Sequence, residues 1–408
     1  MKTEENNSRI WFASYKHMEG SKLRRILFKG DKIIWIVFIM LCAISWVEVF
    51  SATSRQTYGA GSYWSPIIKH SGFLLGGIFV AWFIHNMKAQ WIDKFSSAIY
   101  WLGVIGLIWA QIQGATINNS ARWIKIMGMT FQPMELAKMG LVMMTARILA
   151  QHQNSDGTDS EAFGKILKYC ILPFALILKE NLSSALLIAL AIFAMMFVGR
   201  IPRRQLLKTI GIGSVMAVVG VCIIMNPPKF ILKGSFESKL ITWQNRIKDA
   251  VDSKPITVEE YDDNDQKTYS HIAVASSHLI GCGPGNSIQR DFIPHAYSDY
   301  IFAVIIEELG LLGAIAVLLL YMTLLYRSGK IANKCDDPYP AFLSMGIGMI
   351  IVMQALLHMY ISVGNFVTGQ PLPLMSQGGT SFIINCVYIG FILSISRYAD
   401  QSSKKAKA

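Results

Sequence analysis

The sequence predicts an all-α polytopic membrane protein. It should have about ten transmembrane helices, both termini cytoplasmic (N-in/C-in), and one large external loop. Three observations lead there. Of 408 residues, 52% are hydrophobic and only 16% charged. Apolar runs near 20 residues recur along the chain, the length that crosses a bilayer as an α-helix. Lysine and arginine gather in alternate connections between those runs, as the positive-inside rule requires. The formal charge of +12 therefore has a membrane explanation, and no nucleic-acid partner is expected. A large soluble domain is excluded, because only residues 227–298 lack such runs over any length.

Taken in order, residues 1–32 form a basic cytoplasmic segment with Lys2, Arg9, Lys16, Lys22, Arg24, Arg25, Lys29 and Lys32. Its part from Leu23 to Lys32 reads as an interfacial helix on the inner leaflet. No cleavable signal peptide is expected, since the first apolar run is long enough to span. The membrane domain, 33–397, has apolar runs near 33–52, 66–87, 95–112, 132–151, 165–178, 182–199, 207–226, 299–326, 340–363 and 379–397. Inner connections carry Lys88 and Lys94, Lys165 and Lys168, Arg200 to Lys208, and Arg327 to Lys334. Residues 227–298 form the large extracytoplasmic loop; it is basic too, but long loops translocate largely regardless of charge. A basic cytoplasmic tail covers 398–408. Six scattered cysteines show no metal-binding spacing, and His271 with His278 lack a third ligand. The glycine run from Gly281 to Asn286 reads as a turn, because no strand precedes it and Pro284 interrupts it.

In this orientation every even-numbered span starts outside, so its positive N-terminal end faces the external side, where it attracts anions. Four polar clusters fall there. Arg122-Trp123-Ile124-Lys125 precedes the fourth span, which opens Phe131-Gln132-Pro133-Met134-Glu135-Leu136-Ala137-Lys138. Glu135 and Lys138, three apart, pair on one helical face. A charged pair in a membrane helix is costly and points to function, against the plainer alternative of an ion pair that only joins helices. Lys179-Glu180-Asn181-Leu182-Ser183-Ser184 opens the sixth span, with capping or substrate contact as its task. In the third cluster, Ser298 is an N-cap candidate and leaves Asp299 in the first turn of the eighth span. Asp299 then serves as a general base or merely stabilises its own helix. Glu307 and Glu308, about two turns deeper, suit a cation or hydroxyl partner in the bundle. The fourth cluster, Gly369 to Ser381, is too rich in proline and glycine for regular helix. It must be buried in protein or line a cavity, with Ser376, Gly378, Gly379, Thr380 and Ser381 as donors to phosphate or sugar, or else form a re-entrant turn.

Together these stretches resemble the SEDS family (shape, elongation, division, sporulation) over about residues 30–397. The carriers are Ala121–Trp123 with Phe131–Lys138, Ile293–Gly310, and Gly369–Ser381. His295 and Tyr297 depart from the family's Glu and His, and the acid of its sixth-span motif is displaced by one place onto Glu180. The N-terminal Phe28–Lys32 and Val47–Ser51 look like the division branch, with the elongation branch as the nearer competitor.

The resemblance implies a peptidoglycan glycosyltransferase that polymerises lipid II at the outer face of the cytoplasmic membrane. Asp299 would be the catalytic base and undecaprenyl pyrophosphate the leaving group. Arg122, Gln132, Glu135, Lys138, Glu180, Asn181, Pro294, Ser376, Gly378, Gly379, Thr380 and Ser381 fall on the substrate side. A class B penicillin-binding transpeptidase and other divisome membrane proteins are the implied partners. No cofactor is certain; a divalent cation, Mg or Mn, would assist a diphosphate leaving group, although no carboxylate cluster in the sequence encodes a site. The rival reading is a flippase for the lipid-linked precursor, which needs a polar route to both faces.

Overall fold

The computed structural model describes residues 29–53, 64–113, 115–117, 120–126, 129–155, 157–227, 240–241, 243–244, 266–364 and 369–405. Ten long helices among them follow the apolar runs. They are α1 (Lys32–Ala52), α2 (Ser65–His85), α3 (Ala89–Gln113), α4 (Pro133–Gln151), α5 (Ser160–Glu180), α6 (Leu182–Val198) and α7 (Arg203–Met225). After the short α8 (Gln266–Ser276) come α9 (Ile301–Ala332), α10 (Pro338–Val363) and α11 (Thr380–Lys405). By length and composition, seven are apolar enough to cross a membrane: α1, α2, α3, α7, α9, α10 and α11 up to Ser402. The shorter α6 is as apolar, with 17 residues.

Local chemistry sets the ends. Asp31 caps α1 by accepting from the amides of Ile33 at 2.9 Å and Ile34 at 3.2 Å. The interfacial helix expected over Leu23–Lys32 lies mostly outside the described residues, and its end, 29–31, forms this cap instead. Asn181 closes α5 and opens α6, accepting from Ser183 N at 3.0 Å and Ser184 N at 3.3 Å. One residue thus turns the chain between two antiparallel spans. At the other end, α11 continues through the stretch assigned to a tail as far as Lys405.

Among the described residues, two small sheets interrupt the helical pattern. β1 (Ala115–Ile117), β2 (Ser120–Ile126) and β3 (Met129–Phe131) form an antiparallel meander on the connection into α4, with Ile124 opposite Phe131. β4 (Gln153–Asn154) pairs with β5 (Gly157–Thr158) after α4.

The least apolar of the long helices are placed by packing. α4 carries Glu135, Lys138 and Arg147, yet nearly all of it is buried, against α3, α5, α6 and α10. Glycine makes the approach of α3 possible. A Cβ on Gly140 would lie 2.5 Å from the Tyr100 Cα, and one on Gly103 would lie 2.6 Å from the Ala137 Cα. Small residues that let backbones touch are how membrane helices associate when lipid is as apolar as leucine. At the periphery, α7 buries only Leu206 and Ile224 and turns its other apolar side chains outward, as lipid demands.

Gly140→Val forces the α3 and α4 backbones apart, costing about 1–3 kcal/mol by overpacking. Thermal unfolding in detergent should show a midpoint several degrees lower, whereas Gly76→Ala, with open space around it, should leave it unchanged.

Candidate functional site

Asp299 lies just before α9 and not within it. Residues 294–299 form consecutive turns, with the amides of Ser298 and Asp299 both donating to His295 O, at 3.1 and 3.0 Å. The helix starts at Ile301 with Tyr300 as its cap residue. The expectation of Ser298 as N-cap is therefore corrected. The Ser298 hydroxyl turns back to His295 O at 3.5 Å and leaves the first amides of α9 alone. Asp299 is half-buried, and its carbonyl accepts from Ser362 Oγ on α10 at 3.3 Å. Pro294 is exposed at the rim of these turns.

Below them α9 breaks. Gly310 has φ 71° and ψ −173°, a backbone state open to glycine. The broken ladder is completed by residues 278–283. Cys282 N and Gly283 N donate to the carbonyls of Glu307 and Glu308 at 3.0 and 2.8 Å, and Leu311 N and Leu312 N donate to His278 O and Leu279 O, both at 3.2 Å. The glycine run read as a turn is thus a splint across a helix break. Gly281 and Gly310 touch so closely that a Cβ on either would lie 2.4 Å from backbone of the other.

Glu307 and Glu308 find the partners expected for them. Glu307 accepts from Ile288 N at 3.0 Å and from Ser287 Oγ; Glu308 accepts from Gly285 N at 2.9 Å, Ser287 N at 3.2 Å, Arg290 Nη1 at 3.4 Å and Ser51 Oγ. Glu48, one turn before Ser51 on α1, is 0% exposed, and both its oxygens lack a hydrogen-bond partner among the described residues.

The segment from Gly369 to Gly379 is the hub. Gln370 and residues 372–376 are buried in protein, Pro371 and 377–379 are half-buried, and Gly369 is exposed. Gln354 Nε2 donates to Pro371 O at 3.2 Å, His358 Nδ1 lies 2.8 Å from Gln370 O, Ser45 Oγ donates to Met375 O at 2.8 Å, and Tyr321 OH donates to Pro373 O. Gln370 Nε2 bonds Ser184 Oγ at the start of α6, beside the cap residue Asn181; Glu180 is buried at the end of α5. Toward Asp299, Ser376 Oγ donates to Ser298 O at 2.9 Å and Gln377 N donates to Tyr297 O at 3.0 Å.

Glu135 and Lys138 join the same hub from α4. Their ion pair measures 2.7 Å with side chains 2% and 1% exposed, and Lys138 Nζ donates onward to Gln354 Oε1 at 3.1 Å. Lys138 is thereby sealed inside, and its ammonium is committed to protein. Gln132, before Pro133, is buried at the mouth of α4. Arg122 sits on β2.

Two of the hydroxyls proposed as donors bond within the protein: Ser376 also receives Leu372 N at 2.7 Å, and Ser381 Oγ returns to Gly378 O at 2.8 Å. A Cβ on Gly378 would meet that hydroxyl at 2.3 Å, while Gly379 has φ +47° just before Thr380 opens α11. No group of three or more His, Cys, Asp or Glu suited to a metal occurs among the described residues. Glu307 and Glu308 are filled by amides, hydroxyls and a guanidinium, a donor set that does not fit a divalent cation.

The chain matches the cell cycle protein family, FtsW/RodA/SpoVE, over residues 31–401. It belongs to that family. Among its relatives, a probable peptidoglycan glycosyltransferase FtsW of Bacillus subtilis is 26% identical, covering 94% of this chain and 95% of the relative. Another of that name, from Hahella chejuensis, is 28% identical over 88% of each. The rod shape determining protein RodA of Thermus thermophilus superposes with a TM-score of 0.62 at 21% identity, covering 90% of this chain and 97% of the other. A chain from a structure described as structural coordination of polymerization and crosslinking by a peptidoglycan synthase complex superposes with a TM-score of 0.71 at 21% identity, over 91% and 99%. This is the fold of the FtsW/RodA/SpoVE family.

Sequence reasoning passed over the residues that pin the hub: Ser45, Tyr321, Gln354, His358 and Ser362. The signal was present, since Gln354 and His358 stand four apart in an otherwise apolar span, where polar residues are rare without cause.

Glu135→Gln should cost about 3–5 kcal/mol by stranding a buried ammonium, and adding Lys138→Met should restore most of that stability. A double-mutant thermal unfolding cycle reads both steps. Glu48→Met, which removes a buried carboxyl group without donors, should raise the unfolding midpoint by a few degrees, about 1–4 kcal/mol.

Proposed function

We propose that the chain is a peptidoglycan glycosyltransferase of the division branch, polymerising lipid II in the cytoplasmic membrane with its active site on the extracytoplasmic side. The family membership and the names of the relatives support the reaction class. One observation carries the site: the Glu135–Lys138 pair, the α5–α6 corner, the 369–379 segment and the Asp299 turn form one bonded network at one end of the bundle.

In this reading Asp299 accepts the proton of the acceptor sugar's 4-hydroxyl as that oxygen attacks the donor's anomeric carbon. The bond from that carbon to the diphosphate breaks with inversion, and undecaprenyl pyrophosphate departs with the electron pair. Diphosphate is already a competent leaving group, so a single carboxylate suffices. The departing charge is met by Arg122 and by helix N-termini on that side. Glu135, Lys138, Ser376 and Ser381 act as positioning residues, holding the hub against which the Asp299 turn is set. Gln132, Glu180, Asn181, Pro294, Gly378, Gly379 and Thr380 line or shape the approach. A class B penicillin-binding transpeptidase is the partner this reading implies, with other divisome membrane proteins.

The test is polymerisation of lipid II by purified protein. Asp299→Asn should lower the rate by about 10²–10⁴-fold, the worth of a general base, with its thermal midpoint unchanged. Full activity of that variant removes Asp299 from the chemistry. Movement of labelled lipid across liposomes without glycan formation, indifferent to this substitution, would instead establish a flippase.

A further inference from the structure

The end of the bundle away from Asp299 holds a cleft that polymerisation does not use. It opens where the start of α1 meets the last turns of α9 and α11, with a volume of about 330 Å³. Lys32, Arg327, Lys330 and Lys334 line it, together with Asp31 and Asp400. Arg327 clamps Asp31 through Nε at 2.9 Å and through its second terminal nitrogen, and that carboxylate also caps α1. One wall is therefore tied down. Lys334 Nζ reaches Asp400 at 3.9 Å with both side chains half-exposed. Lys32 and Lys330 are exposed and have no ion-pair partner among the described residues. Four cations against two carboxylates leave an excess of two positive charges facing one cavity.

The apolar surroundings narrow the ligand. Ile33 both lines the cleft and is exposed, and exposed Ile36 and Met40 continue from it at helical spacing. A stripe thus runs from the charged mouth down the outside of α1 into the membrane. A free anion or an acidic peptide uses the charge and leaves the stripe uncovered. An amphiphile uses both.

We propose that this cleft binds the headgroup of an anionic phospholipid from the leaflet on that side. Two phosphates match the two excess charges, and the acyl chains lie along Ile33, Ile36 and Met40. Basic pockets between transmembrane helices at a cytoplasmic surface bind such headgroups by charge.

Native mass spectrometry of the full chain, released from micelles carrying cardiolipin, phosphatidylglycerol or phosphatidylcholine, tests this, with inorganic pyrophosphate as a soluble competitor. One cardiolipin should be retained, about tenfold or more over phosphatidylcholine. Lys32→Gln with Lys330→Gln should cut that retention about tenfold, and both sites are exposed, so the fold is spared. Arg203→Gln with Arg204→Gln, which removes equal charge from the exposed start of α7, should leave retention unchanged. Equal loss in both pairs would reduce the cleft to a diffuse basic surface and overturn the proposal. Displacement by pyrophosphate at concentrations equal to the lipid would make it a site for free anions, and no preference for either anionic lipid over phosphatidylcholine would remove it altogether.

Discussion

The architecture depends on one constraint: the carbonyls of the irregular segment 370–375 cannot be left unbonded inside a bundle surrounded by hydrocarbon. Each unsatisfied backbone group there would cost several kcal/mol. Side chains from three helices meet the demand directly: Ser45 from α1, Tyr321 from α9, and Gln354 with His358 from α10. A fourth, α6, holds Gln370 through Ser184. These helices are thus fixed relative to one another by a piece of chain that is not itself helical.

The same debt places the candidate base. Asp299 is held through its carbonyl, by Ser362, and through its neighbours, by Ser376 and Gln377. Its backbone is placed by hydrogen bonds from two other elements, α10 and the 369–379 segment. Asp299→Asn is therefore expected to separate chemistry from folding. By contrast, Lys138 is both charged and sealed, so its removal tests the scaffold before it tests any reaction.

Much of this was legible in the residues. Apolar length located all ten long helices, because a run that must bury or face lipid over about 20 residues has few other solutions. The Glu135–Lys138 pair and the three other polar clusters also proved to be one network. What escaped was everything decided by partners distant in sequence. Gly310 lies inside an apolar run with no proline nearby, and only the approach of Gly281 reveals why the helix breaks there. Glu48 escaped for a related reason: Ser45, Glu48 and Ser51 do recur three apart on α1, but its proximity to Glu308 arises only on packing. The meander of β1 to β3 lay in a connection too short for alternation to stand out.

The near-complete burial of α4 bears on how the protein is made. With Glu135, Lys138 and Arg147 in 19 residues, this helix falls outside the set apolar enough to cross alone. Charged residues in a spanning helix oppose insertion, less toward its ends than at its centre. Its entry into the bilayer during synthesis therefore depends on a companion, and α3, already joined to it through Gly103 and Gly140, is the neighbour that emerges from the ribosome first. A lesion at the Gly103–Gly140 contact therefore bears on how α4 enters the membrane as well as on the finished fold.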